Sequence, residues 1–471
     1  MNIFSKHFSS IVMGCFSFFV LGCQSHQKPN NKPNVIIILT DDLGYADVGF
    51  NGSLDIRTPH IDRIAKNGVQ FTNGYVSYAV CGPSRAGLIT GRYQDQFGFS
   101  RNPLFAPKDE SQGLPLSEQT MAEALHTAGY KTMAIGKWHL GAHKTQRPLA
   151  RGFDEFFGFL SGGHKYFPEE WTKNDISEVS SQFDAYNTKI LKNNTRIDEQ
   201  EYLTDAFSRE AVNFVKANAK QPFFLYLAYN APHTPLEATE KYLSRYPEIK
   251  DKKRKTFAAM VSAVDDGVGT ILNTLKDLNI EDNTIIFFLS DNGGNESKGA
   301  NNGPLREGKG WLYEGGIRVP FAMQWPAVIP KEQKFHDPVI SFDIFATVAA
   351  QAEVTPKNEL NGVNLIPYVT GKLHQAPHQA LFWRHYDRDA FAVRTSESKY
   401  VKDRNGKAGL FNINDDISEK SPLADPLKIQ DLKADYMHWN EKNIPPQFDG
   451  LLQNKDYNKT HPNRFKNVEK Y

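Results

Sequence analysis

The feature that most constrains the fold of this chain is a set of apolar runs, each followed within a few residues by Asp, Asn, His or Lys. Such runs, rich in β-branched and aromatic residues, predict strands that are buried on both faces. They span residues 34–39, 131–135, 222–229 and 284–290. The polar residues that follow them are Asp41, Asp42, Lys137, His139, His233, Asp291 and Asn292. These residues are the first candidates for a functional site.

Amphipathic patterns between the runs predict helices over residues 118–128, 204–217 and 256–278. Strands that alternate with helices predict an α/β fold, in which helices cover both faces of a mixed, mostly parallel sheet. In such a sheet, ligands bind beyond the carboxyl ends of the strands. We therefore expect the polar residues that follow the runs to meet at one edge.

The C-terminal part of the chain has a different pattern. The chain has 471 residues, more than a single hydrophobic core usually organises. From about residue 375 there are short strand-like pieces at 380–384, 390–394 and 399–401, then a helical pattern over 427–440. We therefore predict a larger domain over residues 34–374 and a smaller antiparallel-sheet subdomain with a polar tail over 375–471.

The N-terminal segment predicts export. An apolar run over residues 11–21 fits the core of a signal peptide and is short for a membrane span. It ends in a Val-Leu-Gly-Cys motif that resembles the lipobox of bacterial lipoproteins, which implies a signal peptide over residues 1–23 and lipidation of Cys23. Residues 24–33 would then form a polar tether. We expect a protein of the bacterial cell envelope, lipid-anchored to the outer membrane or periplasmic, and the alternative is an ordinary exported signal.

Of the three cysteines, Cys81 alone lies in the part expected to fold. Such a thiol is either a buried, inert residue or a reactive group. The segment that begins at Cys81 has Pro83 in its first turn and suits the start of a helix. The N-terminus of a helix favours an anion, so a sulfate or phosphate ester could bind there, with Arg85 on the same face.

Two motifs give this site a family resemblance. Cys81-x-Pro-Ser-Arg85, followed by Thr90-Gly91-Arg92, and the segment Gly136–Gly141 resemble the two signatures of the type I sulfatases, formylglycine-dependent members of the alkaline phosphatase superfamily. The resemblance extends from about residue 33 to about residue 371, and its middle part is similar to sulfatases that act on galactose or N-acetylgalactosamine 6-sulfate. It implies an alkaline-phosphatase-like sheet and hydrolysis of sulfate esters.

A metal site follows from ligand chemistry. Asp41, Asp42, Asp291 and Asn292 offer oxygen atoms only, which favours calcium or magnesium over zinc. Taken one at a time, these residues could equally form turns. Together, three carboxylates at the ends of buried strands would repel one another unless a cation offsets their charge. The resemblance implies one calcium ion, bound by these four residues and residue 81.

The resemblance also implies the catalytic roles. Cys81, oxidised to formylglycine by a maturation enzyme, would act as a hydrated nucleophile supported by Arg85 and His139, with His139 as a base. The cationic groups that would hold the sulfate oxygens are Lys137, His233 and Lys309. Either His233 or Lys309 would protonate the leaving alkoxide. Without the resemblance, His233 and Lys309 could be ordinary loop residues.

The substrate is less constrained. A formal net charge of +1 does not indicate a nucleic-acid binder. Three clusters of cationic and aromatic residues suit a sulfated sugar, and their candidate contacts are Arg101, His164 and Arg384. We expect a sulfated oligosaccharide or polysaccharide such as ulvan, carrageenan-type galactans or glycosaminoglycans. The alternatives are a phosphonate or phosphate monoester hydrolase of the same superfamily and an inactive protein that binds sulfated glycans.

Overall fold

The strand expected at residue 34 lies inside a ten-stranded sheet. The structure is a computed structural model that describes Met1, residues 32–466 and Val468. The predicted signal peptide, the lipidation site at Cys23 and nearly all of the tether lie outside the described residues. In the part that is described, no helix is long and apolar enough to cross a membrane. The chain from Lys32 onward forms one compact unit.

The strands and helices of the described residues alternate as the sequence predicted. The strands are β1 (Asn34–Thr40), β2 (Val69–Phe71), β3 (Gly74–Tyr75), β4 (Lys131–Lys137), β5 (Glu155–Phe159), β6 (Ile190–Lys192), β7 (Thr195–Ile197), β8 (Phe223–Ala228), β9 (Thr284–Ser290), β10 (Phe321–Gln324), β11 (Gln333–Phe335), β12 (Val339–Ile340), β13 (Leu381–His385), β14 (Ala390–Arg394), β15 (Ser398–Lys402) and β16 (Ala408–Asn412). The helices are α1 (Pro59–Lys66), α2 (Cys81–Thr90), α3 (Met121–Thr127), α4 (Leu203–Asn218), α5 (Glu240–Leu243), α6 (Lys252–Asp277), α7 (Glu314–Ile317), α8 (Asp343–Ala352), α9 (Ile366–Val369), α10 (Pro426–Asn440) and α11 (Asn454–Thr460).

The large sheet confirms the predicted fold class. Its strand order is β11-β2-β10-β9-β1-β8-β4-β5-β6-β7. The strands that come from the four apolar runs are adjacent at its centre, and β9, β1, β8 and β4 are parallel to one another. Antiparallel pairing occurs toward both edges, at β10 on one side and at β6 and β7 on the other. The carboxyl ends of the central strands therefore meet at one edge.

Strand β1 is buried on both faces, which explains its unbroken apolar sequence. Ile36 and Ile38 belong to a core that includes residues of α4 and α6, whereas Ile37 and Leu39 belong to a second core that includes residues of α2, α3 and α8. Burial of each such side chain contributes about 1.5–3 kcal/mol. Helices on both faces thus fix the sheet at the strands that carry the polar residues.

Two element boundaries differ from the sequence predictions for local reasons. Helix α3 begins at Met121 and not at residue 118, because the Thr120 hydroxyl accepts a hydrogen bond from the Glu123 N–H at 3.0 Å and the Glu123 carboxylate accepts one from the Thr120 N–H at 2.8 Å. This reciprocal pair is a capping box, which starts a helix at the next residue. Strand β4 continues through Lys137, two residues beyond the predicted run.

A separate antiparallel sheet forms in the C-terminal part, as predicted, in the order β13-β14-β15-β16. Its fourth strand, β16, was not predicted. Residues of α10 pack against this sheet. Lys399 in β15 lies 2.9 Å from Glu314 in α7 and 2.9 Å from Glu419, and all three side chains are fully buried. The predicted domain boundary between residues 374 and 375 stays a prediction.

A buried ion pair fastens the segment that precedes this sheet. The His378 Nε2 lies 2.9 Å from one carboxylate oxygen of Asp343 and 3.1 Å from the other, at the start of α8. Burial alone would lower the pKa of His378, but attraction to Asp343 raises it above its usual value. A histidine with a raised pKa stabilises the fold below its unfolded pKa of 6.5, and this contribution is lost as pH rises through the folded pKa.

The pair predicts a pH-dependent effect of His378→Gln. We expect the variant to lose about 1–2 kcal/mol of unfolding free energy near pH ~5.5, where the ion pair is intact, and clearly less near pH ~9. Urea unfolding at both pH values measures the difference. His126→Gln is the matched control, because His126 faces Asp154 with 56% of its side chain exposed, and exposed pairs contribute little. An equal loss for His378→Gln at the two pH values would contradict the prediction.

Candidate active site

Three carboxylates converge at the carboxyl ends of two neighbouring strands. Asp41 and Asp42 follow β1, and Asp291 follows β9, which pairs with β1 in register up to the last residue of each strand. All three are buried, and the backbone N–H of Asp42 donates to Asp291 Oδ1 at 3.4 Å. Asn292 also reaches this point, because its Nδ2 donates to Asp42 Oδ1 at 2.7 Å. The predicted convergence is confirmed.

Cationic side chains from three other parts of the chain face these carboxylates. The Lys137 ammonium, at the end of β4, lies 2.5 Å from Asp41. The Lys309 ammonium lies 2.6 Å from Asp42. Arg85 donates from Nε to Asp291 at 2.8 Å, and its Nη2 lies 3.6 Å from Asp41. Each buried carboxylate therefore has a cation within 4 Å, which offsets part of the cost of its burial.

Helix α2 brings residue 81 to the same place. It begins at Cys81, one residue after the extended Val80, and it ends at Gly91, which has a φ of 70° and caps the last turn. The Cys81 side chain is 2% exposed, and its sulfur lies 3.6 Å from the Lys309 ammonium. One turn later, Arg85 reaches Asp291. The predicted helix start and the shared face of residues 81 and 85 are confirmed.

Two histidines complete the group. His233, in the loop after β8, lies 3.8 Å from Asp42 through Nε2, and its Nδ1 bonds to the Thr234 carbonyl at 2.7 Å. His139 is buried, and its Nδ1 has no hydrogen-bond partner among the described residues. Its φ is +57°, so the chain turns after β4, and a loop conformation sets the direction of the ring.

Burial and neighbouring charges shift the pKa values of these groups in different directions. Burial raises the pKa of Cys81 and, together with the nearby Asp41, raises the pKa of Asp291 to about 6. Burial would also raise the pKa of Asp42, but attraction to Lys309 and His233 lowers it to about 2. Burial and the surrounding cations lower the pKa of His233 to about 3. Burial and the surrounding cations, above all Lys137, also hold the pKa of His139 well below its usual range.

Unpartnered oxygen atoms fit a metal ion. In the part of the chain that is described, Asp41 Oδ1 and Asn292 Oδ1 are buried without a hydrogen-bond donor. Donor atoms of Asp41, Asp42, Cys81 and His233 all lie within 4.8 Å of one another. Two carboxylates and an amide oxygen at one point suit a hard divalent cation. The residues present therefore fit a divalent metal site, which includes most of the ligands predicted from the sequence.

One of the three predicted substrate contacts faces a cleft next to this site. The cleft has a volume of about 130 Å³, and its lining includes Val80, Arg101, His385 and Asp387. The Arg101 guanidinium holds Asp387 by two nitrogens, with Nη2 2.6 Å from a carboxylate oxygen. Its role as a substrate contact stays a prediction.

The other two contacts were wrong, because both residues are bound within the core. His164 is fully buried, and its two ring nitrogens bond to the backbone carbonyls of Lys165 and Thr188 at 2.8 and 2.7 Å. Arg384 is 7% exposed and donates to Asp95, to Asn440 and to the Ile444 carbonyl. Both side chains have all their strong hydrogen bonds inside the protein.

Two features of the loop that contacts His139 were not predicted from the sequence. A Cβ on Gly162 would lie 2.8 Å from the His139 Nε2, and one on Gly163 would lie 2.6 Å from the Tyr186 ring. The pair of glycines therefore allows His139 and Tyr186 to approach the same loop. Tyr186 is close enough to Cys81 and Lys309 for their charges to act on its hydroxyl. No local sequence pattern around residue 186 could have indicated this.

Comparisons with known proteins agree with this geometry. A family model described as Sulfatase matches residues 33–354, and one described as N-sulphoglucosamine sulphohydrolase, C-terminal, matches residues 307–442. Human N-acetylgalactosamine-6-sulfatase is 35% identical over 364 residues, 73% of this chain and 67% of that protein. Mouse arylsulfatase J is 36% identical over 434 residues, 91% of this chain and 68% of that protein. The chain thus spans about two thirds of the length of these relatives.

A solved structure extends the similarity to nearly the whole chain. It is described as the crystal structure of Ps i-CgsB in complex with k-i-k-neocarrahexaose. It superposes with a TM-score of 0.84 at 41% sequence identity, and the alignment covers 92% of this chain and 98% of that one. The arrangement of both sheets is therefore that of an experimentally determined relative.

The carboxylate cluster predicts that divalent cations stabilise the protein. We expect a chelator to lower the melting temperature and millimolar calcium or magnesium to restore it, because bound cations stabilise only the folded state. Asp42→Asn should remove most of this response. The matched control is Asp389→Asn, whose side chain is 89% exposed. A wild-type melting temperature that responds to neither the chelator nor the cations would refute the metal site.

Proposed function

We propose that the substrates of this chain are sulfated carbohydrates. The premise is that the chain belongs to the sulfatase family and is a sulfuric ester hydrolase. The observation that carries the proposal is the meeting of Cys81, Lys137, His139 and Lys309 around buried carboxylates. A sulfate ester needs neutralisation of its oxygens, a nucleophile at sulfur and a proton for the leaving oxygen. Groups able to do each of these meet at this one edge of the sheet.

The relatives narrow the class of carbohydrate. One relative is named for N-acetylgalactosamine 6-sulfate, and the solved structure at 41% identity holds a neocarrahexaose. These names favour sulfated galactans and glycosaminoglycans, and ulvan fragments belong to the same chemical class. Among them we place carrageenan-type galactan oligosaccharides first, because the relative that holds one is the more similar in sequence.

In the proposed reaction, residue 81 acts as formylglycine, made from Cys81 by a formylglycine-generating maturation enzyme. The hydrated aldehyde would supply an oxygen nucleophile, and one bound calcium ion would offset negative charge on the oxygens. Asp41, Asp42, Asp291 and Asn292 would hold the ion with residue 81, and the two unpartnered oxygens support this set. Calcium is preferred to magnesium because the site offers several protein oxygens, whereas magnesium usually keeps several waters among its ligands.

The other side chains bind, orient and move protons. Lys137 and Lys309 hold sulfate oxygens as the charge on them grows, and loss of one such donor typically costs on the order of a hundredfold in rate. Arg85 fixes the carboxylates and residue 81 relative to one another. His139, with a free Nδ1, accepts a proton from residue 81. His233 or Lys309 donates a proton to the leaving oxygen.

We also propose that the protein works at the bacterial cell envelope, exported and attached through a lipid on Cys23. The sequence of the N-terminal segment is the support for this proposal. A lipid-anchored sulfatase would meet polysaccharide fragments at the outer membrane or in the periplasm. Labelling with a radioactive fatty acid, abolished by Cys23→Ala, would test the anchor.

The competing functions make different demands on residue 81. A phosphonate or phosphate monoester hydrolase of the same superfamily could use the same residues, and an inactive glycan-binding homologue would not need a modified cysteine. Comparing the turnover of an aryl sulfate with that of the matching aryl phosphate separates the three. Preference for sulfate supports the proposal, preference for phosphate supports the first alternative, and no turnover supports the second.

Conversion of Cys81 is the central prediction of this function. In protein from a maturation-competent host, peptide mass spectrometry should find formylglycine at residue 81, and the protein should release sulfate from an aryl sulfate and a galactan oligosaccharide. Cys81→Ala should lower the rate on the order of a thousandfold or more, because the nucleophile is removed.

The matched control for this prediction is the same chain from a host that lacks the maturation enzyme. It should melt at nearly the same temperature and have almost no activity, since only one side chain differs. Full activity with an unmodified Cys81 would contradict the formylglycine mechanism.

A further inference from the structure

Near the proposed catalytic residues, Arg404 stacks on Trp311 and has no acidic partner among the described residues. The carbon at the centre of its guanidinium lies 3.7 Å from the centroid of the Trp311 ring. Trp311 is two residues after Lys309, whose ammonium is 3.6 Å from the Cys81 sulfur. A short segment of backbone therefore connects the ring under Arg404 to the reaction centre.

The turn between β15 and β16, which carries Arg404, is anchored against the same segment. The Asp403 carboxylate accepts hydrogen bonds from the backbone N–H groups of Asn405 and Lys407, both at 2.9 Å. Its other oxygen accepts one from the Tyr313 hydroxyl at 3.1 Å. The turn is thus fixed at its base, and the position of Arg404 does not depend on the stacking contact alone.

Arg404 differs from Arg306 and Arg101, which lie in the same region, in having unused donors. Arg306 stacks on Tyr313 at a similar distance, 3.8 Å, but it donates to the Glu419 carbonyl. Arg101 holds Asp387. Arg404 is exposed, and no described residue accepts a hydrogen bond from it. A guanidinium that lies flat on an aromatic ring keeps its N–H donors at its edge, where they can bind an oxyanion through two bonds.

A histidine of the cleft beside residue 81 lies within range of the Arg404 charge. His385 lines the cleft and stacks on Tyr78, with ring centroids 5.6 Å apart, and within the described chain its Nδ1 has no partner. Burial lowers the pKa of His385 to about 4; Asp387 opposes this effect, and the charges of Arg388 and Arg404 add to it. Arg388 and Arg404 therefore lie near enough to His385 for their charges to act on it.

We propose that Arg404, held on Trp311, binds a second oxyanion of the substrate, a sulfate ester or a carboxylate on a sugar next to the one that is desulfated at residue 81. The proposal rests on the proposed function and deepens it. It makes the protein selective for carbohydrates with anionic groups on neighbouring sugars. An exposed guanidinium already fixed on an indole loses little freedom on binding, so its unused donors contribute to selectivity.

The test compares substrates that differ only in the second anion. One pair consists of carrageenan-type oligosaccharides with sulfate on both sugars or on one sugar of the repeat. The other pair consists of a chondroitin 6-sulfate disaccharide and its carboxyl-reduced form. An aryl sulfate serves as a reference that has no second anion. The measured quantity is the ratio of kcat/KM within each pair, for the wild type and for Arg404→Gln, Arg404→Lys and Lys407→Gln.

We expect the wild type to prefer the two-anion member of at least one pair, and Arg404→Gln to reduce this preference by about tenfold to a hundredfold, as for loss of a charge-assisted bidentate contact. Arg404→Lys should keep part of it, since lysine retains the charge and loses the planar fork. Lys407→Gln removes the same charge from the same turn and should keep the wild-type ratio. The pair that responds identifies the anion as sulfate or carboxylate.

Three outcomes overturn the proposal, and they are distinguishable. If the aryl sulfate is turned over and the kcat/KM ratios are the same in the wild type and Arg404→Gln, the second-anion site is refuted and the sulfatase function stands. Failure of the wild type to release sulfate from any probe, with formylglycine present at residue 81, removes the proposed function and this site with it. A loss of preference in Lys407→Gln equal to that in Arg404→Gln shows a general charge effect and also refutes a site at Arg404.

Discussion

The rest of the structure depends on the burial of three carboxylates at the ends of two adjacent parallel strands. Removing a carboxylate from water costs several kcal/mol unless opposite charges and hydrogen bonds offset it. Asp41, Asp42 and Asp291 are therefore tolerable only because Lys137, Lys309 and Arg85 reach them from three distant parts of the chain. The same need for positive charge creates the site for a divalent cation and for an anionic substrate.

The elements around the three carboxylates hold them and their cationic partners together. Helices on both faces fix β1, β8, β9 and β4, so that the side chains that follow these strands cannot move apart. Helix α2 places residue 81 against Lys309, and Gly162 leaves space for His139. The C-terminal sheet is fastened through the buried Lys399, and its β13–β14 connection lines the cleft beside this centre. In our proposal the large sheet supplies the catalytic side chains, and the C-terminal sheet supplies contacts that select the substrate.

A structural feature could be predicted from the sequence when its pattern lies in adjacent residues, and could not when it depends on contacts between distant segments. Strands β1 and β9 were predicted almost to the residue, because burial on both faces gives an unbroken apolar run. The start of α3 was missed, since the capping pair of Thr120 and Glu123 competes with the amphipathic pattern. His164 and Arg384 were misread because a cationic residue among aromatics looks alike in sequence whether it lines a cleft or lies in the core. Contacts such as that of Tyr186 join distant segments and leave no local pattern.

The central claim is that oxygen atoms at the ends of β1 and β9 bind one divalent cation beside residue 81. Anomalous difference maps from crystals grown with calcium test it most directly. We expect one strong peak at about 2.3–2.6 Å from side-chain oxygens of Asp41, Asp42, Asp291 and Asn292. A map with no peak at this place, or with the cation held elsewhere and these carboxylates paired only with lysine and arginine, would show that the strand ends do not form the metal site.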